Sequence, residues 1–350
     1  MNLPSRWFPF GRRRPPDATL APLRSDVLNS ATWASAQDLI DLQRHAGKIG
    51  LTHAGPARAR LAGDHLSRFR GRGMDYQESR GYQAGDDIRS MDWRVTARTG
   101  NPHVKVYQEE RERPVVVFVD LNPGMFFGTQ GMLKSVLAAR AAALIAWAAL
   151  ARGDRVGAML FNGEHSDLPP RGGKHGVLRL IRQLVARSDP RAGIEASLHP
   201  GSLNVALGRL RRVARPGSLV VLISDFYGID EESARHLAWL RRHNDVVALQ
   251  VVDAIEEAPP PSGRYGVATA AGRAILDTAS SAARRAYSDY FVRHHEQVRA
   301  AMRRHAIPLL RLSTAVDLVA ALRWHFAAHD SLPAVGATPP DRALDDRLAA

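Results

Sequence analysis

The stretch "PVVVFVDLNPG", residues 114–124, decides how this chain folds. Five consecutive apolar residues, Val115 to Val119, run without a polar interruption. An alternating run would mark a strand with one wet face. A continuous one is expected of a strand buried on both faces. It ends in Asp120, with Asn122 and Gly124 in the turn that follows.

The same texture continues downstream. "GMLKSVLAARAAALIAWAALARG" reads as a long helix closed by Gly153. "RVGAMLFN" is a strand, and "GVLRLIRQLVARS" and "LNVALGRLRRVA" are helices. "SLVVLISDF" is another buried strand. "EESARHLAWLRRHN" is a helix with an acidic first turn and a basic last turn, which suits the macrodipole. Then come the strand "DVVALQVVD", a hairpin over residues 263–278, a long helix, the short strand "PLLRLS" and a final helix, "VDLVAALRWHFAAH". Strands that alternate with helices imply βαβ units. The predicted fold class is α/β: a doubly wound, mostly parallel sheet over residues 114–326.

Upstream, "SAQDLIDLQRHAGKI" (residues 35–49) reads as a helix with Ser35 as N-cap. "HVKVYQEERE" (residues 103–112) alternates like a strand. Residues 31–113 are thus predicted as an N-terminal helical and irregular β extension. The Pro- and Arg-rich residues 1–30 are predicted as a disordered basic arm, and residues 327–350 as a flexible tail.

Composition narrows the chemistry. There are no cysteines among the 350 residues, which excludes disulfides, thiolate metal sites and thiol catalysis and fits a cytoplasmic setting. The formal net charge of +13 attracts nucleic acid, acidic membranes or acidic proteins. The arginines are scattered, however, with no long basic block, as a codon bias would leave them. The most apolar stretch, residues 136–151, is interrupted by Arg140 and is shorter than the ~20 residues a bilayer requires. "PPRGGKHG" fails as a phosphate-binding loop, because His175 follows Lys174 where Ser or Thr is needed. His294 and His295 are neighbours on a helix and face different directions, so they are expected to be exposed rather than to share a metal. No nucleophile elbow and no H-E-x-x-H are present.

In open α/β sheets, ligands bind beyond the carboxyl ends of the strands. Two predicted strands end in an aspartate there: Asp120 in "VVVFVD-LNPG" and Asp225 in "VVLIS-D-FYG". D-x-N-x-G after the first strand and S-D-F after the later one resemble the von Willebrand factor A domain. That resemblance implies a metal-ion-dependent adhesion site for Mg²⁺, a hard cation that takes oxygen ligands. Asp120 and Asp225 match its two aspartates. Asn122 stands for the first serine, Gly124 replaces the second and offers no ligand, and Ser202 is the candidate for the threonine. The site is degenerate, and Asp120 and Asp225 also read as caps of helix N-termini that bond to loop amides.

Residues 71–94, "GRGMDYQESRGYQAGDDIRSMDWR", sharpen the resemblance. Gly71, Gly73, Asp75, Tyr76, Arg80, Tyr82, Gly85, Asp86, Arg89, Met91, Asp92 and Trp93 match the signature of the family known as domain of unknown function 58. In that family the signature precedes a von Willebrand factor A-like domain. The resemblance implies an accessory protein of MoxR-type AAA+ ATPases: a non-enzymatic adaptor or chaperone-like factor in protein maturation or complex assembly. Other von Willebrand factor A-type proteins are further partners it implies. The residues themselves read in two ways. Arg72, Arg80, Arg89 and Arg94 interleave with Asp75, Asp86, Asp87 and Asp92, which suits arginine–carboxylate pairs stapling an irregular ribbon, with Tyr76, Tyr82 and Trp93 as its apolar underside. The same residue types suit a surface where a partner docks. Two other functions stay open: a nucleic-acid binder using the basic surface, and a metal-dependent hydrolase using Asp120, Asp225 and Asp86.

Overall fold

The computed structural model describes residues 8–10, 31–51, 74–83, 86–109, 112–195, 201–269 and 272–327. All of the predicted tail except Ala327, which ends a helix, all of the predicted arm except residues 8–10, and Arg72 lie outside them. The chain divides into two compact units, residues 55–112 and the remainder.

The larger unit is built on a six-stranded sheet. In chain order its elements are β1 (Phe8–Phe10), helix α1 (Ala36–Asp41), β4 (Pro114–Asp120), helix α3 (Lys134–Ala151), β5 (Arg155–Phe161) and β6 (His165–Arg171). Helices α4 (Gly173–Arg187), α5 (Pro190–Glu195) and α6 (Ser202–Val213) follow, then β7 (Leu219–Ser224), α7 (Glu231–His243), β8 (Asp245–Val252) and the short α8 (Ala254–Glu257). The hairpin β9 (Arg264–Thr269) and β10 (Gly272–Asp277), helix α9 (Ser281–Arg304), β11 (Leu309–Ser313) and α10 (Leu318–Ala327) complete it. β2 (Met74–Gly81), α2 (Trp93–Thr99) and β3 (His103–Glu109) belong to the smaller unit.

The sheet order is β11-β8-β7-β4-β5-β6. All neighbours pair in parallel except β6, which runs antiparallel on the edge beside β5. The chain lays β4, β5 and β6 outward in one direction, then returns to place β7 on the other side of β4. The switch in direction therefore lies between β4 and β7. A separate hairpin, β9 with β10, is joined by β1 on its outer side.

The continuous apolar run of β4 is buried on both faces because its side chains alternate between two cores. Val115, Val117 and Val119 enter one, with Leu137 and Leu144 of α3, Leu180 of α4 and Leu322 of α10. Val116 and Phe118 enter the other, with Leu207 and Leu210 of α6, Leu237 and Leu240 of α7, and Val298 and Met302 of α9. The result is a mostly parallel α/β sheet with helices on both faces.

Helix α3 is apolar enough and, at 18 residues, long enough to meet the length and hydropathy of a membrane span. Here it is a core helix, with almost every side chain from Lys134 to Ala149 buried. Part of its cover is α1, whose Ser35 cap accepts from the Asp38 amide as the sequence indicates. The indole of Trp147 in α3 donates to the Leu39 carbonyl at 2.9 Å. The helix at residues 36–41 thus goes with the sheet and not with the signature segment. It is also shorter than expected and continues as a 3-10 turn over Leu42–Lys48.

The smaller unit contains β2 (Met74–Gly81) paired antiparallel with β3 (His103–Glu109), and helix α2 (Trp93–Thr99) between them. Asp92 caps α2, accepting from the Arg94 amide at 3.2 Å and the Val95 amide at 3.1 Å.

Candidate functional site

The carboxyl ends of four adjacent strands carry a row of polar residues: Thr314 after β11, Asp253 after β8, Asp225 after β7 and Asp120 closing β4. All four are buried. A buried carboxylate persists only if hydrogen bonds or a cation replace its water. Each finds different partners.

Asp120 spans the switch point. One oxygen accepts the Ser224 hydroxyl of β7 at 2.6 Å, and the other accepts the Asn122 amide at 2.9 Å. Ser224 in turn accepts the Phe226 amide at 2.8 Å. Phe226 is a buried non-glycine residue at φ 56°, a left-handed backbone that surrounding contacts must hold in place. The bond to a loop amide expected of Asp120 is therefore present at Asn122, but the 3-10 turn that follows has Asn122, not Asp120, at its N-cap. Asn122 is itself buried, and its side-chain oxygen has no hydrogen-bond partner.

Asp225 accepts the Tyr227 amide at 3.2 Å on one oxygen and the Lys134 ammonium at 3.3 Å on the other. Lys134 also donates to Glu256 of α8 at 2.8 Å. These three charged side chains are buried together, with Lys134 and Asp225 each 1% exposed. Burial opposes the charge on Lys134, but the carboxylates of Glu256 and Asp225 outweigh it and hold the ammonium above its ordinary pKa. Burial likewise pushes the Glu256 carboxyl up, against the pull of Lys134. The cation also lies 5.7 Å from the Tyr227 ring centroid.

Asp253 is a joint between loops. It accepts the amide and hydroxyl of Thr129, the Thr314 hydroxyl at 2.7 Å and the Ile255 amide at 3.2 Å. Its own amide donates to Glu256 at 3.0 Å.

His294 and His295 are buried, contrary to the exposure their place on a charged helix suggests. The Nε2 of His294 meets the Asp225 carbonyl at 2.9 Å, which makes it the donor, and its ring stacks on Tyr227 with centroids 4.0 Å apart. Nδ1 of His295 accepts from the Gln250 side chain at 3.2 Å. Burial lowers both pKa values, that of His295 to about 4 with help from the His294 and Arg311 charges. The two rings point to different partners, as read from the sequence.

Beside the charged trio opens a small cleft. Phe127, Tyr227, Tyr265, Tyr287, Tyr290 and Phe291 line it, and Gly124 leaves its wall bare. Lys134, Asp225 and Glu256 form its polar side.

The sequence-predicted metal set is only partly assembled. Asp120 meets the Ser224 hydroxyl and the Asn122 amide, while Asp225 faces Lys134. Ser202 opens α6 behind Gly201, and residues 196–200 before it lie outside the described residues. Among the described residues no group of three or more His, Cys, Asp or Glu side chains is arranged to hold a metal. The donors fit Mg²⁺ poorly. Asp225 already faces an ammonium, both Asp120 oxygens accept hydrogen bonds, and Gly124 has no ligand.

The signature segment shows one of the expected arginine–carboxylate staples. Arg80 grips Asp86 bidentately at 2.7 and 2.9 Å, and this hydrogen bonding holds the Asp86 carboxyl below its usual pKa. Asp87 caps a turn through the Arg89 amide, and Asp92 caps α2 while accepting the Ser79 hydroxyl at 2.7 Å, which lowers its pKa. These two serve the backbone because they stand directly before helical turns. Arg89 and Arg94 are exposed. Asp75 and Tyr76 fall in β2 opposite Gln108 and Tyr107. Tyr82 and Trp93 are exposed, Trp93 by 67%, so they do not form the apolar underside expected of them. Trp93 opens α2, whose half-buried residues are Val95 and Thr96.

Lys134, Glu256 and Asp253 were not among the sequence candidates. A lysine in the first turn of a helix, at the positive end of the macrodipole, was a visible oddity. Asp253 ends its strand just as Asp120 and Asp225 do.

The family described as "Protein of unknown function DUF58" matches residues 78–297. An uncharacterized protein of Mycobacterium tuberculosis (strain H37Rv) is 34% identical over 265 residues, 74% of this chain and 81% of that one. An uncharacterized protein of Mycobacterium bovis matches with the same figures. Among solved structures, the conserved hypothetical protein BatB from Bacteroides thetaiotaomicron aligns with a TM-score of 0.40 at 13% identity, covering 62% of this chain and 98% of that one. An aerotolerance-related membrane protein from Bacteroides fragilis aligns with a TM-score of 0.37 at 12% identity, covering 63% and 100%.

Proposed function

From the premise that this chain belongs to the DUF58 family, we propose that it is a non-enzymatic adaptor, working in the cytoplasm with a MoxR-type AAA+ ATPase in protein maturation or complex assembly. On this reading the larger unit is a von Willebrand factor A-like domain with a degenerate adhesion site. The observation that carries the proposal is the aromatic cleft at the carboxyl ends of β4, β7 and β8. Aromatic side chains are the usual anchors of a protein interface. The charged groups beside them engage one another: Lys134 pairs with both Asp225 and Glu256, and Asp120 and Asp253 hold loops. Such mutual pairing suits groups that organise a surface.

The test is co-purification of the full chain with a MoxR-type ATPase from the same genome, with ATPase rate as a second readout. A stable complex is expected, weakened at least tenfold by Tyr290→Ala, since truncating an interface anchor costs on the order of 2 kcal/mol. A complex unaffected by that change moves the interface elsewhere, and the absence of any complex or rate change with the partner refutes the adaptor reading. Retardation of nucleic acid that weakens steeply with salt would favour the basic surface instead.

A further inference from the structure

We propose that the Lys134 ammonium is the resident cation of the strand-end site, in the place of a divalent metal, so that the loop face keeps its shape without metal. The inference concerns the isolated chain and does not depend on the partner proposed above.

Three observations converge on it. The first is position. Lys134 is the first residue of α3, where the helix macrodipole is positive and a cation is disfavoured. It is also 1% exposed, although lysine is almost never fully buried unless paired. A charge placed against both preferences is held by its partners.

The second is connectivity. Lys134 comes from the helix after β4, Asp225 from the loop after β7, and Glu256 from the turn after β8. The ammonium therefore ties together three loops that are separated by 91 and 122 residues. A multivalent metal performs that task in oxygen-rich sites.

The third is the ligand inventory. Mg²⁺ asks for near-octahedral oxygen coordination. The Ser224 hydroxyl and the Asn122 amide already donate to Asp120. The Asn122 side-chain oxygen is buried without a donor, but it is one neutral ligand. A divalent ion drawn to Asp225 would also meet the ammonium as a like charge. An ammonium, by contrast, brings three donors on a flexible stem and needs no fixed geometry.

The experiment uses the full chain. Thermal unfolding is followed in EDTA, in MgCl₂ and in MnCl₂ at matched ionic strength, with Mn²⁺ binding read by electron paramagnetic resonance. The wild type is expected to melt at the same midpoint in all three and to bind no Mn²⁺ in a saturable way. Lys134→Met keeps the stem and removes the charge, and its midpoint should fall by roughly ten degrees, as expected when one partner of a buried ion cluster is lost. Lys134→Ser removes the charge and opens space. It should acquire saturable Mn²⁺ binding and regain part of its lost midpoint in MnCl₂. Saturable binding by the wild type that Asp225→Asn abolishes would overturn the proposal. So would a Lys134→Met chain as stable as the wild type, or a folded Lys134→Ser chain indifferent to Mn²⁺. If neither variant folds, the wild-type titration decides alone.

Discussion

Replacing Asp253 by Ala should be among the most damaging single changes in the larger unit. Its carboxylate is completely buried and accepts from two Thr129 groups, the Thr314 hydroxyl and the Ile255 amide. Hydrogen bonds to a buried charge contribute about 1.5–3 kcal/mol each, but bonds sharing one acceptor are not additive. The loss is also offset because no buried charge remains. A net cost of about 3–5 kcal/mol follows, dominated by donors stranded without water. At roughly 2–4 °C per kcal/mol for a unit of this size, the midpoint should fall by on the order of ten degrees. Asp253→Asn is the sharper control. One oxygen faces the Thr129 amide and the other faces the Ile255 amide. Whichever way the new amide turns, its NH₂ meets a backbone N–H. Asn should therefore recover little of the loss, although it nearly preserves shape. Equilibrium unfolding in urea measures both variants. An Asp253→Ala chain within about 1 kcal/mol of wild type, or a fully stable Asp253→Asn, would refute the view that this carboxylate joins the loops.

Three further changes probe other parts of the structure. Gly131 has φ +70° and its Cβ would lie 2.5 Å from the Thr314 carbonyl oxygen, so Gly131→Ala should cost about 2–4 kcal/mol in urea unfolding, and a neutral result would contradict this close approach. Trp147→Phe removes the donor to the Leu39 carbonyl and some buried volume; about 1–3 kcal/mol should be lost, with faster amide exchange concentrated at residues 36–48, and unchanged exchange there would argue against that packing. The folded pKa of His295 is depressed to about 4 from the usual 6.5, so the unfolded chain binds more protons between those values. Its stabilising contribution is complete above pH 6.5 and is lost as pH falls toward 4, by about 3 kcal/mol, with His294 acting in the same direction. Unfolding curves should show a clear fall from pH 7 to 5 that His295→Gln diminishes, and equal slopes for the two chains would exclude His295 as its source.

The fold was legible where a local pattern and a tertiary environment agree. β4, β5, β7 and β8 are buried on both faces, and continuous apolar runs say so without reference to anything distant. β6 was missed because "HSDLPPR" contains two prolines and few apolar residues. It is an edge strand with a register shift, one of the few places a sheet accepts proline. The histidines of α9 were read as exposed because their neighbours are charged, while their burial depends on Tyr227 and Gln250, far away in sequence. The candidate site divides in the same way. Asp120 and Asp225 announce themselves as the polar ends of apolar strands. Lys134 and Glu256 each look like an ordinary helix charge, and only the sheet order brings them together.

An ammonium and a divalent metal at a strand end would lead to different kinds of recognition. A metal with an unfilled coordination position attracts an acidic group from outside, and its affinity for that group can dominate an interface. Lys134 is 1% exposed and spends its charge on two internal carboxylates, so it has little left to offer an external anion. What the same end of the sheet does present is the ring of tyrosine and phenylalanine side chains around the cleft. Burial raises the phenol pKa values of Tyr227 and Tyr287, and the neighbouring carboxylates add to the effect, which keeps these rings neutral. A neutral aromatic wall beside an internally paired ion cluster selects by shape and apolar contact. Taken with the adaptor proposal, this predicts a contact that tolerates chelator and moderate salt but is sensitive to the loss of a single ring. A complex that dissolves in EDTA would require a metal that these donors, on the geometry described, are poorly arranged to hold.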